Sequence, residues 1–258
     1  MRQIFTLTAG RTGSAWLAEL FRQNLLCDAV HEPIGINDFG IRMPDIRLMR
    51  MFNNYGNNEE VRAFWHKKFA AIQSGTYVET NHTLGKCGLI ENIVLNGLQD
   101  STAIVILKRN LVDQCCSYLQ RHDFANVTIP LQWYLHPSYM KIMVDPNPFE
   151  PLGPFATPVW YCYEMEARQE YYYAKFSQEM LMVKVNLENV TTLPGAQELF
   201  ERLGYEGKLF LPEAKNASIR RSSDLFDRVT EIMENIQFDT NSVLESLEKE
   251  DFNFNSTI

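Results

Sequence analysis

Two stretches of the sequence combine basic, hydroxyl and glycine residues in a way that suits anion binding. The first, residues 9–14 (AGRTGS), follows the apolar run 3–8 and precedes residues 15–24, whose apolar positions recur at helical spacing. Glycines let the backbone approach an anion, amides at a helix start point at it, and the helix dipole favours negative charge there. Arg11 adds a guanidinium and Ser14 a hydroxyl. We therefore expect a phosphate-type site in this turn.

The second stretch, residues 108–118 (KRNLVDQCCSY), follows the most apolar run of the chain, residues 103–107. Arg109 stands at the end of the expected strand, and Ser117 lies two turns into the helix that follows. Both side chains could face one phosphate. Taken singly, Arg109 fits equally well as a surface charge beside a helix, and Ser117 as a small packing residue.

Two residues at strand ends are candidates for a general base. Glu32 ends the short run 27–31, and His82 follows the run 76–81. A carboxylate or an imidazole that is partly buried can titrate at a pH useful for proton transfer. The alternatives are structural: Glu32 as a loop carboxylate in an ion pair, and His82 as a ring bonded to backbone. His31 is expected to point into the packing of the sheet.

Short apolar runs alternate with amphipathic stretches along the chain. The expected strands are residues 3–8, 27–31, 76–81, 103–107 and 180–185. The expected helices are residues 15–24, 42–74 with a break near 53–58, 89–97, 112–121 and 159–176. This alternation predicts an α/β fold with a parallel sheet of about five strands, flanked by helices. Both candidate bases would then lie at the carboxyl edge of the sheet, where ligands usually bind.

Residues 122–158 break the alternation, because prolines cluster there with aromatic residues between them. The segment is too long for an ordinary connection and too apolar for a free linker. We interpret it as an irregular aromatic and proline-rich cap over the acceptor, with Trp133, Tyr134, Tyr139 and Trp160 as its aromatic faces. A hydrophobic cluster under a long loop is the alternative for any one of them.

Composition narrows the class of protein. With 258 residues, 45% hydrophobic and 22% charged, the chain fits a single globular domain, residues 1–258. A formal net charge of −8 argues against a nucleic-acid partner that needs a basic face. The five cysteines include no C-x-x-C pair, which favours reduced thiols and a cytoplasmic location. No signal peptide or membrane-spanning run is recognisable, so no membrane partner is expected.

Residues 11–17 (RTGSAWL) resemble the 5'-phosphosulfate-binding loop of sulfotransferases, and residues 109–118 are similar to the 3'-phosphate-binding segment of that family. Both stretches come in the expected order, each at a strand-to-helix junction. The resemblance covers about residues 3–120. Ala15 departs from it by replacing a hydroxyl residue, and Leu111 by replacing a frequent proline. The resemblance implies a P-loop-type nucleotide-binding fold and a sulfuryl transferase.

The resemblance also implies the donor and the residues that bind it. The donor would be 3'-phosphoadenosine 5'-phosphosulfate, and no metal is expected. Its 5'-phosphosulfate would be bound by Arg11, Thr12, Gly13, Ser14, Ala15 and Trp16. Its 3'-phosphate would be bound by Arg109 and Ser117, to which the basic turn at Arg220 and Arg221 could add. The alternative for those two arginines is a solvated turn before a helix.

Catalysis would fall to Arg11, Glu32 and His82. Tyrosylprotein and several bacterial sulfotransferases carry a catalytic Glu at a similar distance in sequence after the phosphosulfate-binding loop as Glu32 has here. Cytosolic sulfotransferases use a His at the position of His82. We favour Glu32 as the base, with His82 orienting the acceptor or the sulfate. The acceptor is expected to be a small molecule or carbohydrate with a free hydroxyl, attacked in line.

Two other functions compete with this one. A P-loop kinase would use the same sheet with ATP and magnesium, but the turn 9–14 lacks the G-K-[ST] ending of a nucleoside-triphosphate loop. A non-catalytic nucleotide-binding protein would keep the fold without the acceptor chemistry, and Ala15 is its one supporting feature.

Overall fold

One sheet of five parallel strands lies at the centre of the computed structural model, which describes residues 3–33, 38–72, 75–124, 133–213 and 222–255. The strands are β1 (Gln3–Thr8), β2 (Cys27–His31), β3 (Thr76–Thr80), β4 (Thr102–Lys108) and β5 (Leu181–Asn186). They lie in the order β2-β3-β1-β4-β5. The α/β fold and its parallel five-stranded sheet are therefore confirmed.

Helices cover both faces of the sheet. They are α1 (Ser14–Asn24), α2 (Ile46–Tyr55), α3 (Glu59–Ala71), α4 (Leu89–Leu95), α5 (Leu111–Gln120), α6 (Ala156–Phe176), α7 (Leu187–Val190), α8 (Leu193–Arg202), α9 (Ser223–Ile236) and α10 (Thr240–Lys249). On one face α1 and α8 pack together, with Phe21 and Phe200 stacked at 5.5 Å. On the other face Phe5 contacts Phe69 of α3. Because helices cover both faces, every residue of β1 and all of β4 except Lys108 are buried.

The strand order creates a switch point beside β1. From β1 the chain leads outward to β2 and returns to β3, and from β3 it crosses β1 to reach β4. The connections after β1 and after β3 therefore leave toward opposite sides of the sheet. Crevices at the carboxyl ends of such strands are the usual ligand sites of open α/β sheets. The turns after β1, β3 and β4 meet there.

The start of α6 differs from the expected boundary. Pro158 suggested a start at residue 159, but the helix begins at Ala156. Proline is tolerated in the first turn of a helix, because the amide it lacks would have no acceptor within the helix. Pro158 therefore lies within the first turn of α6 and not in front of it.

The described part of the aromatic insertion packs on α6. Glu164 accepts hydrogen bonds from the amides of Met143 and Val144, at 2.8 and 2.9 Å. Trp160 is buried in the core and donates its Nε1 hydrogen to the Val144 carbonyl at 2.8 Å. Trp160 thus holds the insertion in place and does not present a face to a ligand, contrary to the expectation from its neighbours in sequence.

None of the five cysteines, all of which lie in the described ranges, forms a disulfide bond. Within those ranges, no helix has the length and apolar character needed to cross a membrane.

Candidate functional site

The turn between β1 and α1 exposes the amides at the start of the helix. Gly10 and Arg11 adopt positive φ values of 88° and 57°, which reverse the chain at the carboxyl edge of the sheet. Gly13, at φ 82°, stands at the N-cap position and supplies no side chain to cap α1. The first helical amides consequently keep their hydrogen-bonding capacity, which is the basis of anion binding at a helix N-terminus.

Two glycines allow this turn to pack closely. A Cβ atom on Gly13 would lie 2.4 Å from Cδ1 of Leu187, the first residue of α7. A Cβ on Gly10 would lie 3.3 Å from the His82 ring. The turn after β1 therefore rests directly against the imidazole that follows β3.

Hydroxyl groups in the turn have different roles. Thr8 donates its hydroxyl hydrogen to the Leu107 carbonyl at 3.0 Å, and its oxygen contacts the hydroxyl of the buried Thr12. Because the Thr8 hydrogen is already used, Thr12 is the donor in that contact. The Thr12 hydroxyl therefore braces the turn, and only its amide remains for an anion. Ser14 is buried too, but its hydroxyl makes no hydrogen bond with any described residue.

The next two residues of α1 lie at its outer side. Ala15 is exposed. Trp16 is half-buried and donates its Nε1 hydrogen to the Pro212 carbonyl at 3.3 Å. Trp16 thus ties the start of α1 to the chain just before residue 214. Arg220 and Arg221 lie outside the described residues.

The two stretches expected to bind anions are in direct contact. Arg11 Nε donates to Ser117 Oγ at 3.1 Å. Arg109 Nη1 donates to the Arg11 carbonyl at 2.8 Å, although the two arginines are 98 residues apart in sequence. α5 begins beside them, with the Asn110 side chain accepting from the Asp113 amide. The structure therefore brings Arg11, Arg109 and Ser117 to one place at the carboxyl edge of the sheet.

Two buried tyrosines support the turn from below, and the sequence did not single them out as site residues. The hydroxyls of Tyr118 and Tyr161 lie 3.0 and 2.8 Å from the Ala9 carbonyl. Tyr118 also contacts the Gly10 carbonyl at 2.9 Å. Burial raises the pKa of both phenols well above the usual value, so they remain neutral hydrogen-bond donors. They fix the backbone of the turn from which Arg11 projects.

The two candidate bases are also neighbours. Glu32 follows β2 and His82 follows β3, and Glu32 Oε1 lies 3.8 Å from His82 Nε2. Burial, with the charges of Lys86, His31 and Arg11, holds the pKa of His82 well below its usual value. The ring is therefore neutral near pH 7, and its contact with Glu32 is not an ion pair.

The backbone of Glu32 is unusual. Its φ of 43° lies in the left-handed region, which is uncommon for a residue with a side chain. Arg11 shares this property, and such outliers cluster at ligand-binding and catalytic positions. His31, on the other side of Glu32, donates from Nδ1 to the Thr80 carbonyl at 2.8 Å. His31 is thereby attached to the neighbouring strand, although 30% of its side chain remains exposed and does not enter the packing of the sheet.

Lys86 completes the group, although the sequence did not identify it as a site residue. Its side chain is fully buried, and Nζ lies 2.9 Å from His82 Nδ1, 2.6 Å from the Trp133 carbonyl and 3.1 Å from the Tyr161 hydroxyl. Burial lowers the pKa of Lys86 to about 7. The available signal was its place four residues after His82 in an otherwise apolar segment, 84–90.

In its described part, the aromatic insertion reaches this group through two residues. The Tyr134 ring lies 5.6 Å from the His82 ring and is buried. Trp133, whose carbonyl contacts Lys86, has its ring 5.7 Å from that of the exposed Phe39. Aromatic side chains therefore border the Glu32–His82 pair on the side of the insertion.

No protein-family model matches this sequence, and no curated protein matches it by sequence. Among solved structures, the chain is similar to the crystal structure of a sulfotransferase from Alicyclobacillus acidocaldarius. The match covers 96% of this chain and 95% of that chain, with a TM-score of 0.51 and 14% sequence identity. At that identity the likeness concerns the fold: the α/β arrangement of this chain is the one found in that sulfotransferase.

Proposed function

We propose that this protein is a sulfotransferase that moves a sulfuryl group from 3'-phosphoadenosine 5'-phosphosulfate to an acceptor hydroxyl. The observation that carries the proposal is the contact of Arg11 with Ser117 and Arg109, which joins two anion-binding stretches at one sheet edge. The Glu32–His82 pair lies against the same turn through Gly10. The likeness in fold to a sulfotransferase supports the same reading.

The residues present fit a nucleotide with two separate phosphate groups. The amides at the start of α1, the Ser14 hydroxyl and Arg11 would bind the 5'-phosphosulfate. Arg109 and Ser117 would bind the 3'-phosphate. Since the Ser117 oxygen accepts from Arg11, its own hydroxyl hydrogen can be donated to a phosphate oxygen. Arg11, between the two groups, would contribute to both.

The bound donor supplies a sulfuryl group linked through a bridging oxygen to its 5'-phosphate. The bond between sulfur and this bridging oxygen breaks while the acceptor oxygen bonds to sulfur, and Glu32 takes the acceptor's proton. The products are the sulfated acceptor and adenosine 3',5'-bisphosphate. Arg11 and the α1 amides stabilise the charge that develops on the leaving 5'-phosphate. The other residues mainly hold the reacting groups in line.

Glu32 suits the role of base better than His82. Its carboxylate is about a quarter exposed at the mouth of the site, with side-chain exposure of 28% against 13% for His82. The His82 Nδ1 atom is occupied by Lys86, so only Nε2 is directed toward Glu32. His82 then serves as a hydrogen-bond donor to the sulfuryl oxygens or the acceptor. The acceptor, a small molecule or carbohydrate with a free hydroxyl, would enter beside Trp133.

A transfer assay tests this proposal. The purified full chain is given a donor with radiolabelled sulfur and a panel of sugar, phenol, alcohol and tyrosine-peptide acceptors. We expect label on at least one acceptor class, and a loss of roughly 10²–10³ in kcat for Arg11→Ala. Arg228→Ala removes an exposed arginine of α9 that pairs with Glu231 and is the matched control. Unchanged turnover in Arg11→Ala, or no labelled acceptor, would overturn the proposal.

A further inference from the structure

Among the described residues, the ammonium group of Lys86 has three hydrogen-bond partners, as many as it has hydrogens. They are the Trp133 carbonyl, the Tyr161 hydroxyl and His82 Nδ1, at 2.6, 3.1 and 2.9 Å. A lysine that is charged carries three N–H donors, and a neutral one carries two donors and a lone pair. The direction of each of the three bonds can therefore be worked out from its partner.

Two of the three bonds must be donated by Lys86. The Trp133 carbonyl can only accept. The Tyr161 hydroxyl uses its one hydrogen on the Ala9 carbonyl, at 2.8 Å, and so it accepts from Lys86 as well. These two bonds occupy two N–H groups in either charge state of the lysine. The bond to His82 is the one whose direction changes with the charge.

The tautomer of His82 follows from this count. When Lys86 is charged, its third hydrogen points at His82 Nδ1, which accepts, and the hydrogen of the neutral ring is on Nε2. When Lys86 is neutral, its lone pair points at His82, and the ring must carry its hydrogen on Nδ1. Because the ring lies against Gly10 on one side and near Tyr134 on another, its orientation is held while the hydrogen moves.

We propose that Lys86 is a positioning residue that sets the tautomer of His82, and that the charged form of Lys86 produces the active tautomer. In that form the Nε2 hydrogen of His82 faces Glu32 and the reacting groups, so the ring donates a hydrogen bond and Glu32 takes the proton. In the neutral form Nε2 presents a lone pair to a carboxylate and an anionic donor. The catalytic part of this inference rests on the proposed function, whereas the control of the tautomer does not.

The surroundings of Lys86 and His82 bring the titration of Lys86, and with it the change of the His82 tautomer, close to neutral pH. Burial lowers the pKa of Lys86 to about 7, against the opposing effects of Cys87 and Glu32, and Arg168 of α6 lowers it further. The ring of His82 is kept neutral by burial and by the charges of Lys86, His31 and Arg11. The aromatic rings of Tyr134 and Tyr161 lie 5.2 and 5.5 Å from Lys86 Nζ.

Nitrogen NMR of the histidine rings tests the control of the tautomer without an activity assay. The full chain is labelled with ¹⁵N-histidine, and the His82 signals are assigned among the five histidines with His82→Asn. We expect the hydrogen on Nε2 at low pH and on Nδ1 at high pH, with the change near pH 7, where Lys86 titrates. A tautomer that stays the same from about pH 5.5 to 9 would overturn the inference.

The variant Lys86→Met links the tautomer to catalysis. It removes all three donors while keeping an unbranched side chain of similar length. We expect its His82 ring to lose the change of tautomer, kcat to fall by about 10–100-fold, and KM for the donor to change by less than about twofold. In the wild type, kcat/KM should fall as pH rises through about 7, and this limb should be absent in Lys86→Met.

Lys175→Met is the control, since this lysine contacts the Tyr171 hydroxyl and ring in an exposed pair on α6. Lys175→Met should keep the pH-dependent change of the His82 tautomer and the fall in kcat/KM as pH rises through about 7. If that fall in kcat/KM persists in Lys86→Met, the role of Lys86 is contradicted. If Lys86→Met does not fold, the wild-type NMR titration still decides the matter. A tautomer change in a protein that lacks sulfuryl transfer would keep the inference about His82 and reject only the proposed function.

Discussion

Glu32 Oε1 and His82 Nε2 lie 3.8 Å apart, although the two residues end different strands of the sheet. β2 and β3 are paired in parallel, so their carboxyl ends emerge side by side. From the sequence alone, the two side chains are alternative candidates for the general base, and Glu32 is favoured. Their proximity makes them parts of one candidate site, and under the proposed function one of them accepts the proton while the other donates a hydrogen bond.

The division of roles predicts unequal effects of two substitutions. Glu32→Gln keeps the shape of the side chain but removes the proton acceptor, so kcat should fall by about 10²–10⁴. His82→Asn removes a hydrogen-bond donor whose loss is partly replaced by the amide, so its effect should be smaller. Single-turnover rates with saturating donor measure both. The reverse ranking would transfer the role of base to His82.

A buried glutamate remote from the site predicts how stability depends on pH. Glu91 of α4 accepts from the Tyr172 hydroxyl at 2.7 Å, and burial raises its pKa to about 7 from the ordinary 4.5. Between pH 4.5 and 7 the folded chain therefore binds more protons than the unfolded chain. The stabilisation that this group contributes is fully present below 4.5 and is lost as pH rises through about 7.

Glu91→Gln should remove this dependence, because the amide resembles the protonated acid and can still accept from Tyr172. Above pH 7 the variant should exceed the wild type in free energy of unfolding by up to roughly 3 kcal/mol. Denaturant unfolding at pH 5 and pH 8 checks this, with Glu198→Gln on the exposed side of α8 as the control. Equal slopes against pH in the wild type and Glu91→Gln would contradict the assignment.

Gly13 predicts a coupling between the turn and α7. Alanine at this position is strained by the φ of 82° and places its Cβ 2.4 Å from Cδ1 of Leu187. The backbone strain alone costs about 1–2 kcal/mol, and the clash adds to it. In a Leu187→Ala background the clash is absent, so Gly13→Ala should cost less there than in the wild type. Urea unfolding of the four chains measures the difference, and strictly additive costs would exclude the contact.

The sheet was predictable from sequence because its strands are short apolar runs bounded by glycine, proline and charge. β1 and β2 have the expected bounds, the turn after β1 lies where the sequence indicated, and α5 begins at Leu111, one residue before the expected start. These features depend on local periodicity and on the residues that interrupt it. The strand order followed less directly, since it depends on contacts between distant segments.

Most residues of the candidate site could be predicted from the sequence, whereas the contacts between their side chains could be predicted only in part. Lys86 was missed because a lysine is ordinarily exposed, and its burial depends on Trp133 and Tyr161, which lie 47 and 75 residues further along the chain. Thr12 was expected to bind the donor through the family resemblance, but its hydroxyl is used on Thr8 across the turn. Contacts of this kind are set by tertiary packing, and sequence spacing does not reveal them.

The proposed function requires one nucleotide with a 3'-phosphate to bind across Arg11, Arg109 and Ser117. Isothermal titration with adenosine 3',5'-bisphosphate, adenosine 5'-phosphate and ATP with magnesium measures this binding in the wild type and in Arg109→Ala. Each charge-assisted hydrogen bond to the 3'-phosphate is worth about 1.5–3 kcal/mol, or roughly 10–100-fold in Kd. The bisphosphate should therefore bind most tightly to the wild type, and Arg109→Ala should lose most of its preference over the monophosphate. Equal binding of bisphosphate and monophosphate to the wild type, or tighter binding of ATP with magnesium, would contradict the claim.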